Sequence, residues 1–506
     1  MRVERSIKNL IYGGTAQAAS SFLNFFTRMA LVHTLGAEAV SLNGLFTEVI
    51  AMLSLAEMGV GTAIIYNLYK PLLTKDEKKL AELMNLFKSA YRMIALFIFI
   101  IGLCILPYVH LLVSRIDIDL GYLRLVYFFF LVQTASSYLF SYKASLLYAD
   151  QKAYLVSRYT MYMKILSAGV SILLLILTKR YLVYLFCQIM TTLAINISVS
   201  READRQYTFL GRKDRLPAEE RKAVFSNIRH LFIGSLSSKI TNSTDNILIS
   251  LLVGTLHIAA YSSYSILTNS LRAVLSQIGN ATTGSVGNLM AEGDKGRMDE
   301  ILRKLTFVTY CPTVLAAAGM CCASTAFVTL VFGEEYTLPQ SVVYVLSFNF
   351  FIGIVRNPLW QMMEVSGLFA ANKNVAIAGS TVNLIVSVIL GQRYGIIGIL
   401  IGTTCTFFIQ IVLKINLLYG RFFELPAGGY RWMLLKLSVS YACSVALTQA
   451  LCSPFRGVLE PYQEFLLMGF CSVIMAALCT FLLFWRSDEM RYVKNLGREL
   501  LKKCGR

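Results

Sequence analysis

Charge is scarce in this sequence. Only 15% of its 506 residues are Asp, Glu, Lys or Arg, while 56% are hydrophobic. That excludes an ordinary soluble domain, where charged residues make up about a quarter. No extended basic domain is present either. The longest polar segment runs only from Arg201 to Arg229, which excludes a nucleic-acid-binding reading of the +18 net charge. A glycine-rich phosphate loop ending in Lys-Ser or Lys-Thr is missing, so ATP is not the expected direct energy source. The eleven cysteines contain no Cys-x-x-Cys and no Cys/His metal spacing. Most lie in apolar runs, where Cys packs as a small apolar residue. The four histidines, His33, His110, His230 and His257, sit near the ends of those runs, not at the depth a membrane acyltransferase would use. The longest loop expected outside, about Ser453 to Glu464, is too short for the catalytic domain of a membrane glycosyltransferase or polymerase.

What is present is apolar sequence in long continuous runs. Fourteen of them, at approximately 10–34, 41–68, 87–113, 122–148, 157–178, 181–200, 230–253, 258–288, 305–332, 341–365, 375–391, 395–418, 433–452 and 465–485, approach the roughly 20 residues that a membrane-spanning helix needs. They do not alternate in and out, so helices are expected and barrel strands are not. Arg2, Arg5 and Lys8 precede the first run as in a signal peptide. No small-residue cleavage site follows, so it is read as a retained helix. With the N-terminus in the cytoplasm, only Arg115, Lys179, Arg180, Arg393 and Arg456 fall in outside loops. Lys and Arg concentrate on the cytoplasmic side of membrane proteins. This asymmetry therefore places both termini inside and explains the net charge as topology. Arg212-Lys213-Asp214-Arg215 is expected to rest near anionic lipid headgroups.

The chain repeats itself. A shift of 218 residues lays Gly36 on Gly254, Asp76 on Asp294, Glu82 on Glu300 and Leu83 on Ile301. In the adjacent register, Thr27-Arg28 falls on Thr244-Asp245. Spans 1–6 and 7–12 are thus expected to form two six-helix bundles as parallel repeats around a central cavity, with spans 13 and 14 added. The fold class is all-α integral membrane. The expected boundaries are an N-terminal bundle at 1–200, a basic cytoplasmic linker at 201–229, a C-terminal bundle at 230–418, and two further helices with a basic tail at 419–506.

Several spans carry polar residues on one face. Span 1 presents Gln17, Ser21, Asn24 and Arg28 at spacings of 4, 3 and 4. Span 7 presents Ser235, Lys239, Asn242 and Asn246 at the same spacings, beside Asp245. Span 8 offers Tyr261, Ser265, Thr268 or Asn269, and Arg272. Span 2 supplies Glu48 and Glu57 on opposite faces. Apolar faces meet lipid, so such stripes point inward. Two readings stand for the Ser, Thr and Asn positions. They hold helices together by hydrogen bonds, or they line a polar path.

A cation at membrane depth is costly and marks a functional site by default. Arg28, Lys239 and Arg272 are such cations, with Asp245 and Glu48 as candidate partners. Glu57, in Ala56-Glu57-Met58-Gly59-Val60-Gly61, is the leading candidate for a proton- or cation-linked carboxylate. Arg356 lies two residues before Pro358, where a kink can free a backbone carbonyl for it; Lys164 is positioned to snorkel. The basic excess favours an anionic substrate, since guanidinium and ammonium groups pair strongly with phosphate in a low-dielectric cavity.

Two segments carry a family resemblance. One is Ala371-Asn372-Lys373-Asn374 through Asn383-Leu384-Ile385-Val386, continuing as Tyr394-Gly395-Ile396-Ile397-Gly398-Ile399-Leu400-Ile401-Gly402-Thr403. The other is Glu57-x-Gly59 running to Tyr66-Asn67-Leu68-Tyr69-Lys70-Pro71. With Asp245-Asn246-Ile247-Leu248-Ile249 and the fourteen-span plan, the chain resembles the polysaccharide biosynthesis and O-antigen flippases of the multidrug/oligosaccharidyl-lipid/polysaccharide (MOP) superfamily. The resemblance implies a non-enzymatic flippase in the bacterial inner membrane, working by alternating access without a cofactor. Its substrate would be a polyprenyl-pyrophosphate-linked oligosaccharide. Arg28, Lys239 and Arg272 would hold the pyrophosphate, and Arg356 would lie at the cavity. Gln17, Asn24, Asn242, Asn246 and Asn269 would meet sugar hydroxyls. Glu48, Glu57 or Asp245 would couple H+ or Na+. Polysaccharide polymerases or glycosyltransferases would be its protein partners. A lipid II flippase of the same superfamily would carry the same stripes, whereas a multidrug exporter would be expected to show mainly carboxylates.

Overall fold

In the computed structural model, the described residues are 2–54, 67–68, 71–114, 118–150, 152–212, 214, 216–217, 221, 244–290, 295–366, 368–455 and 458–495. Among them there is no strand, and eleven helical segments are long and apolar enough to cross a membrane. Helix is the expected solution. In hydrocarbon each backbone N–H and C=O must be satisfied within its own segment.

The helices are α1 (Arg2–Leu53), α2 (Glu77–Ile105), α3 (Leu120–Ala149), α4 (Ala153–Thr178), α5 (Tyr181–Gln206), α6 (Asp245–Leu248, continued by a π-helical turn Ile249–Val253) and α7 (His257–Met290). They continue with α8 (Lys295–Phe332), α9 (Gln340–Val355), α10 (Asn357–Val365), α11 (Phe369–Tyr394), α12 (Ile396–Leu417), α13 (Gly428–Cys452) and α14 (Pro461–Phe484). Spans 1 and 2 were expected as separate helices. They are two helices within α1, parted at Gly36, where φ is 75° and ψ −168° and the backbone is not helical. Gly254, its partner under the 218-residue shift, has φ of 137°. Both repeats thus turn at a glycine in a conformation that other residues rarely adopt.

Local chemistry sets the helix starts. Asp76 accepts from the Lys79 N–H at the head of α2, and Asp119 does the same for Tyr122 at α3. Glu460 and Gln463 form a reciprocal capping box on α14. Each cap satisfies a donor that the first helical turn leaves open.

The chain divides into two compact units, Met1–Ala259 and Ala260–Arg506. In the first, α1 packs on α4, α2 on α3, and α3 and α4 on α5, while α6 lies against α1. Tyr127 of α3 packs edge-on against Phe46 at 5.5 Å, and its hydroxyl donates to the Gly102 carbonyl at 3.2 Å. In the second unit, α8 is the hub, touching α9, α13 and α14. Phe351 stacks on Tyr441 at 4.6 Å, whose hydroxyl pairs with Ser347. Cys321, Cys322 and Cys452 are buried with Met468 and pack as small apolar residues.

The α11–α12 hairpin explains the Tyr-Gly-x-x-Gly segment. Gly395 takes a φ of 64° at the turn. Asn383 donates to Thr403 at 3.2 Å, and Ser387 to the Ile399 carbonyl at 3.0 Å. Gly398 and Gly402 let the two backbones approach. A Cβ at Gly402 would stand 2.8 Å from the Ser387 backbone nitrogen, and one at Gly398 would overlap the Leu390 carbonyl. Since backbone must move to admit it, Gly398→Ala is expected to cost about 1–3 kcal/mol. Gly469→Ala, with nothing within 4 Å of the new Cβ, is expected to be neutral or mildly stabilising. Thermal unfolding of both variants in detergent checks this.

Candidate functional site

The predicted site residues fall into three groups. Glu57, Lys239 and Asn242 lie outside the described residues. Arg28, Gln17, Asn24, Glu48, Asp245 and Asn246 lie in the first unit. Asn269, Arg272 and Arg356 lie in the second.

In the first unit, Arg28 is 6% exposed although it belongs to a membrane-spanning helix. Its Nη2 donates to the Ala259 carbonyl at 3.2 Å, and its charge reaches the stacked rings of Tyr181 and Tyr184. Gln17 and Asn24, on the same stripe, are exposed, and Glu48 is half-buried. Lys164 of α4 donates to Ser20 of α1 at 3.4 Å. Asn246 donates to the Gly44 carbonyl at 3.4 Å, and its Oδ1 is buried without a hydrogen-bond partner among the described residues.

Beside Arg28 the unit is closed by hydroxyl contacts. Ser41 donates to the Leu256 carbonyl at 3.2 Å. The Ser114 N–H donates to Thr255 Oγ1 at 2.8 Å, and the Thr255 N–H donates back to the Ser114 carbonyl at 3.1 Å. Ser250 donates to the Leu112 carbonyl at 2.6 Å and sits 2.7 Å from Thr255 Oγ1. Segment 244–259 is therefore fastened to α1 and to the 3-10 turn after α2 by hydroxyl and backbone hydrogen bonds, with the Arg28–Ala259 bond beside them.

In the second unit, α7, α10 and α12 bring cations together. The α9–α10 break falls at Arg356, just before Pro358, as the sequence suggested. Its guanidinium does not turn to a freed carbonyl. It donates to Gln410 Oε1 at 3.1 Å and lies 3.7 Å from the ring centre of Phe407 and 4.3 Å from that of Trp360. Lys414 is 2% exposed, and its Nζ is 3.7 Å from the ring centre of Trp360. Arg272 of α7 is near enough for its charge to act on Arg356. Its Nη atoms lie 3.6 Å from where a Gly353 Cβ would be, with Phe407 at the same distance. Arg272 makes no hydrogen bond or ion pair among the described residues. Asp245 and Glu48, its expected partners, belong to the other unit. Asn269 is exposed.

Lys414, Gln410, Trp360 and Phe407 were missed in the sequence. The signal was there in spacing: Gln410 and Lys414 are four apart in an otherwise apolar span, as are Arg356 and Trp360, so each pair shares a helix face.

No family model matches the chain, and no curated protein matches it in sequence. Its fold does match solved structures. The lipid II flippase MurJ, in an inward closed conformation, superposes with a TM-score of 0.68 at 12% identity, over 94% of this chain and 99% of that one. An inward-facing multidrug resistance MATE-family transporter of the MOP superfamily gives 0.63 at 15% identity, over 83% and 95%. The eukaryotic MATE transporter AtDTX14 gives 0.57 at 13%, over 86% and 99%. The chain shares the fold of these proteins. The all-helical membrane architecture expected from the sequence is thereby established.

Gly353 tests the crowding at the second-unit cations. Its Cβ position meets only ordinary contacts at 3.6 Å, so Gly353→Ala is expected to fold with a stability change under about 1 kcal/mol. Gly353→Leu has no such room beside Arg272 and Phe407, and is expected to lose about 1–3 kcal/mol. Paired melting curves check the difference.

Proposed function

We propose that the protein is a flippase carrying a polyprenyl-pyrophosphate-linked oligosaccharide from the cytoplasmic to the outer leaflet of a bacterial inner membrane, with both termini cytoplasmic. The observation that carries this reading is the basic character of the polar sites at membrane depth. Arg28 and Lys414 are buried, and Arg272 and Arg356 are half-buried. An anionic headgroup suits a basic site, because phosphate accepts several charge-assisted hydrogen bonds at once. The MOP fold, shared with a lipid II flippase and with MATE transporters, supports transport by alternating access.

On this reading Arg28, Lys239 and Arg272 hold the pyrophosphate, while Gln17, Asn24, Asn242, Asn246 and Asn269 meet the sugars. Glu48, Glu57 and Asp245 are the carboxylates available for H+ or Na+ coupling. The expected domain plan, with bundles at 1–200 and 230–418 joined by a basic linker, gives the two halves that rock. Polymerases or glycosyltransferases that make and extend the glycan are the natural partners, with anionic lipid at the basic loops.

The test is a deletion strain whose lipid-linked oligosaccharides are extracted and assigned to a leaflet. One is expected to accumulate with its headgroup facing the cytoplasm. The wild-type gene should clear it. Arg28→Ala and Arg272→Ala, each losing charge-assisted bonds, should slow clearance at least about tenfold. No accumulation, together with new sensitivity to cationic dyes, would refute the flippase reading in favour of a cation-coupled multidrug exporter.

A further inference from the structure

We propose that the outside end of the first unit carries a pocket for the phosphoethanolamine headgroup of a bilayer phospholipid, with Lys179 and Arg180 on its phosphate and Glu38 on its ammonium. This lipid is not the cargo. The flippase reading enters only through the topology that makes this end the outside one.

The pocket has a volume of about 470 Å³ and is built where three turns meet. Glu38 lies two residues past the break at Gly36 in α1. Tyr122 is in the first turn of α3, where its N–H donates to Asp119 Oδ2 at 2.8 Å. Lys179 and Arg180 form the whole turn between α4 and α5. These are the three outside turns of the first six spans, so two of the five outside cations share one cavity. Tyr181 fixes a wall of it: its hydroxyl donates to Asn43 Oδ1 at 3.3 Å, and its ring stacks on Tyr184. The side chains of Glu38, Lys179 and Arg180 make no hydrogen bond or ion pair among the described residues.

Such a lining selects a ligand with both signs of charge. A simple anion drawn to Lys179 and Arg180 is repelled by Glu38, and a simple cation meets the reverse. A phosphate joined to a primary ammonium satisfies all three side chains. The ammonium brings N–H donors for the carboxylate, which a quaternary ammonium lacks. The first turn of α5 has no side-chain cap, so its backbone N–H groups add donors at the Arg180 side. An apolar track makes a lipid the source. Leu166, Val170, Leu173 and Leu177 are exposed on α4 at spacings of 4, 3 and 4, which is one face, and the track ends two residues before Lys179. At 1.5 Å per residue it is about 16 Å long, the depth of one leaflet of a hydrocarbon core about 30 Å thick. Tyr122 and Tyr181 then stand at the level where tyrosines meet headgroups.

Native mass spectrometry of the delipidated full-length protein, titrated with phosphatidylethanolamine, phosphatidylcholine or phosphatidylglycerol of matched acyl chains, tests this. Phosphatidylethanolamine is expected to bind at the lowest concentration. Lys179→Gly suits the left-handed turn, where φ is 50°, and Glu38→Gln keeps the side chain's shape. Each should weaken phosphatidylethanolamine binding about threefold, and Lys179→Gly combined with Arg180→Gln about tenfold. Glu38→Gln should also bind phosphatidylglycerol better than wild type does, a change of preference that mere loss of structure does not produce. Arg393→Gln, which removes an outside cation of the second unit, should change nothing. The proposal is overturned by equal binding of the three lipids, by a wild-type preference for phosphatidylglycerol, or by Lys179 and Glu38 variants that melt normally and bind like wild type. Soluble phosphoethanolamine that displaces the lipid at comparable concentration would give the pocket to the free headgroup and overturn the lipid as its occupant; failure to displace it supports the lipid. Clearance of lipid-linked sugar in the deletion strain is a separate readout, so either reading can fail while the other stands.

Discussion

Hydrocarbon offers no hydrogen-bond partners, and the rest of the structure follows from that. Each spanning segment is a helix because only a helix satisfies its own backbone. Hydroxyls buried in these helices turn to carbonyls one turn back: Thr306 to Leu302, Thr313 to Thr309, Ser444 to Ser440 and Thr448 to Ser444. Amides bridge instead of folding back. Asn349 donates to the Leu400 carbonyl at 2.9 Å and accepts from Thr404 at 2.7 Å, tying α9 to α12. Once neutral groups are settled in this way, charged ones stand out. Arg28 donates to a backbone carbonyl, and Lys414 lies against the Trp360 ring.

Much of the fold was legible in the sequence because the membrane imposes so simple a rule. Continuous apolar runs gave the spanning helices, and the 218-residue shift paired Gly36 with Gly254, both of which turn through positive φ. The Tyr-Gly-x-x-Gly segment became the close α11–α12 hairpin.

The site was legible only in part, for a different reason. Helical periodicity says which residues share a face of one helix, but not which faces meet. Arg356 was singled out by Pro358 and did lie at a break, yet its partners are Gln410, Phe407 and Trp360 from chemistry that no single span reveals. Lys414 sits close to a span end, where a lysine ordinarily snorkels to water. Instead it is buried beside Trp360. Conversely, a shared fold at 12–15% identity carries architecture and leaves the cargo to side chains.

The fastening of segment 244–259 has a kinetic consequence. Ser41, Ser114, Ser250 and Thr255 join it to its neighbours through hydroxyls and backbone groups. Hydrogen bonds between membrane helices are worth only about 0.6 kcal/mol on average, and a hydroxyl freed from one carbonyl finds another, or a water, within a short rotation. A seam of this kind gives way one contact at a time, with the charged Arg28 bond to the Ala259 carbonyl beside it. Many weak contacts spread the work of parting along the segment, where one strong contact would concentrate it.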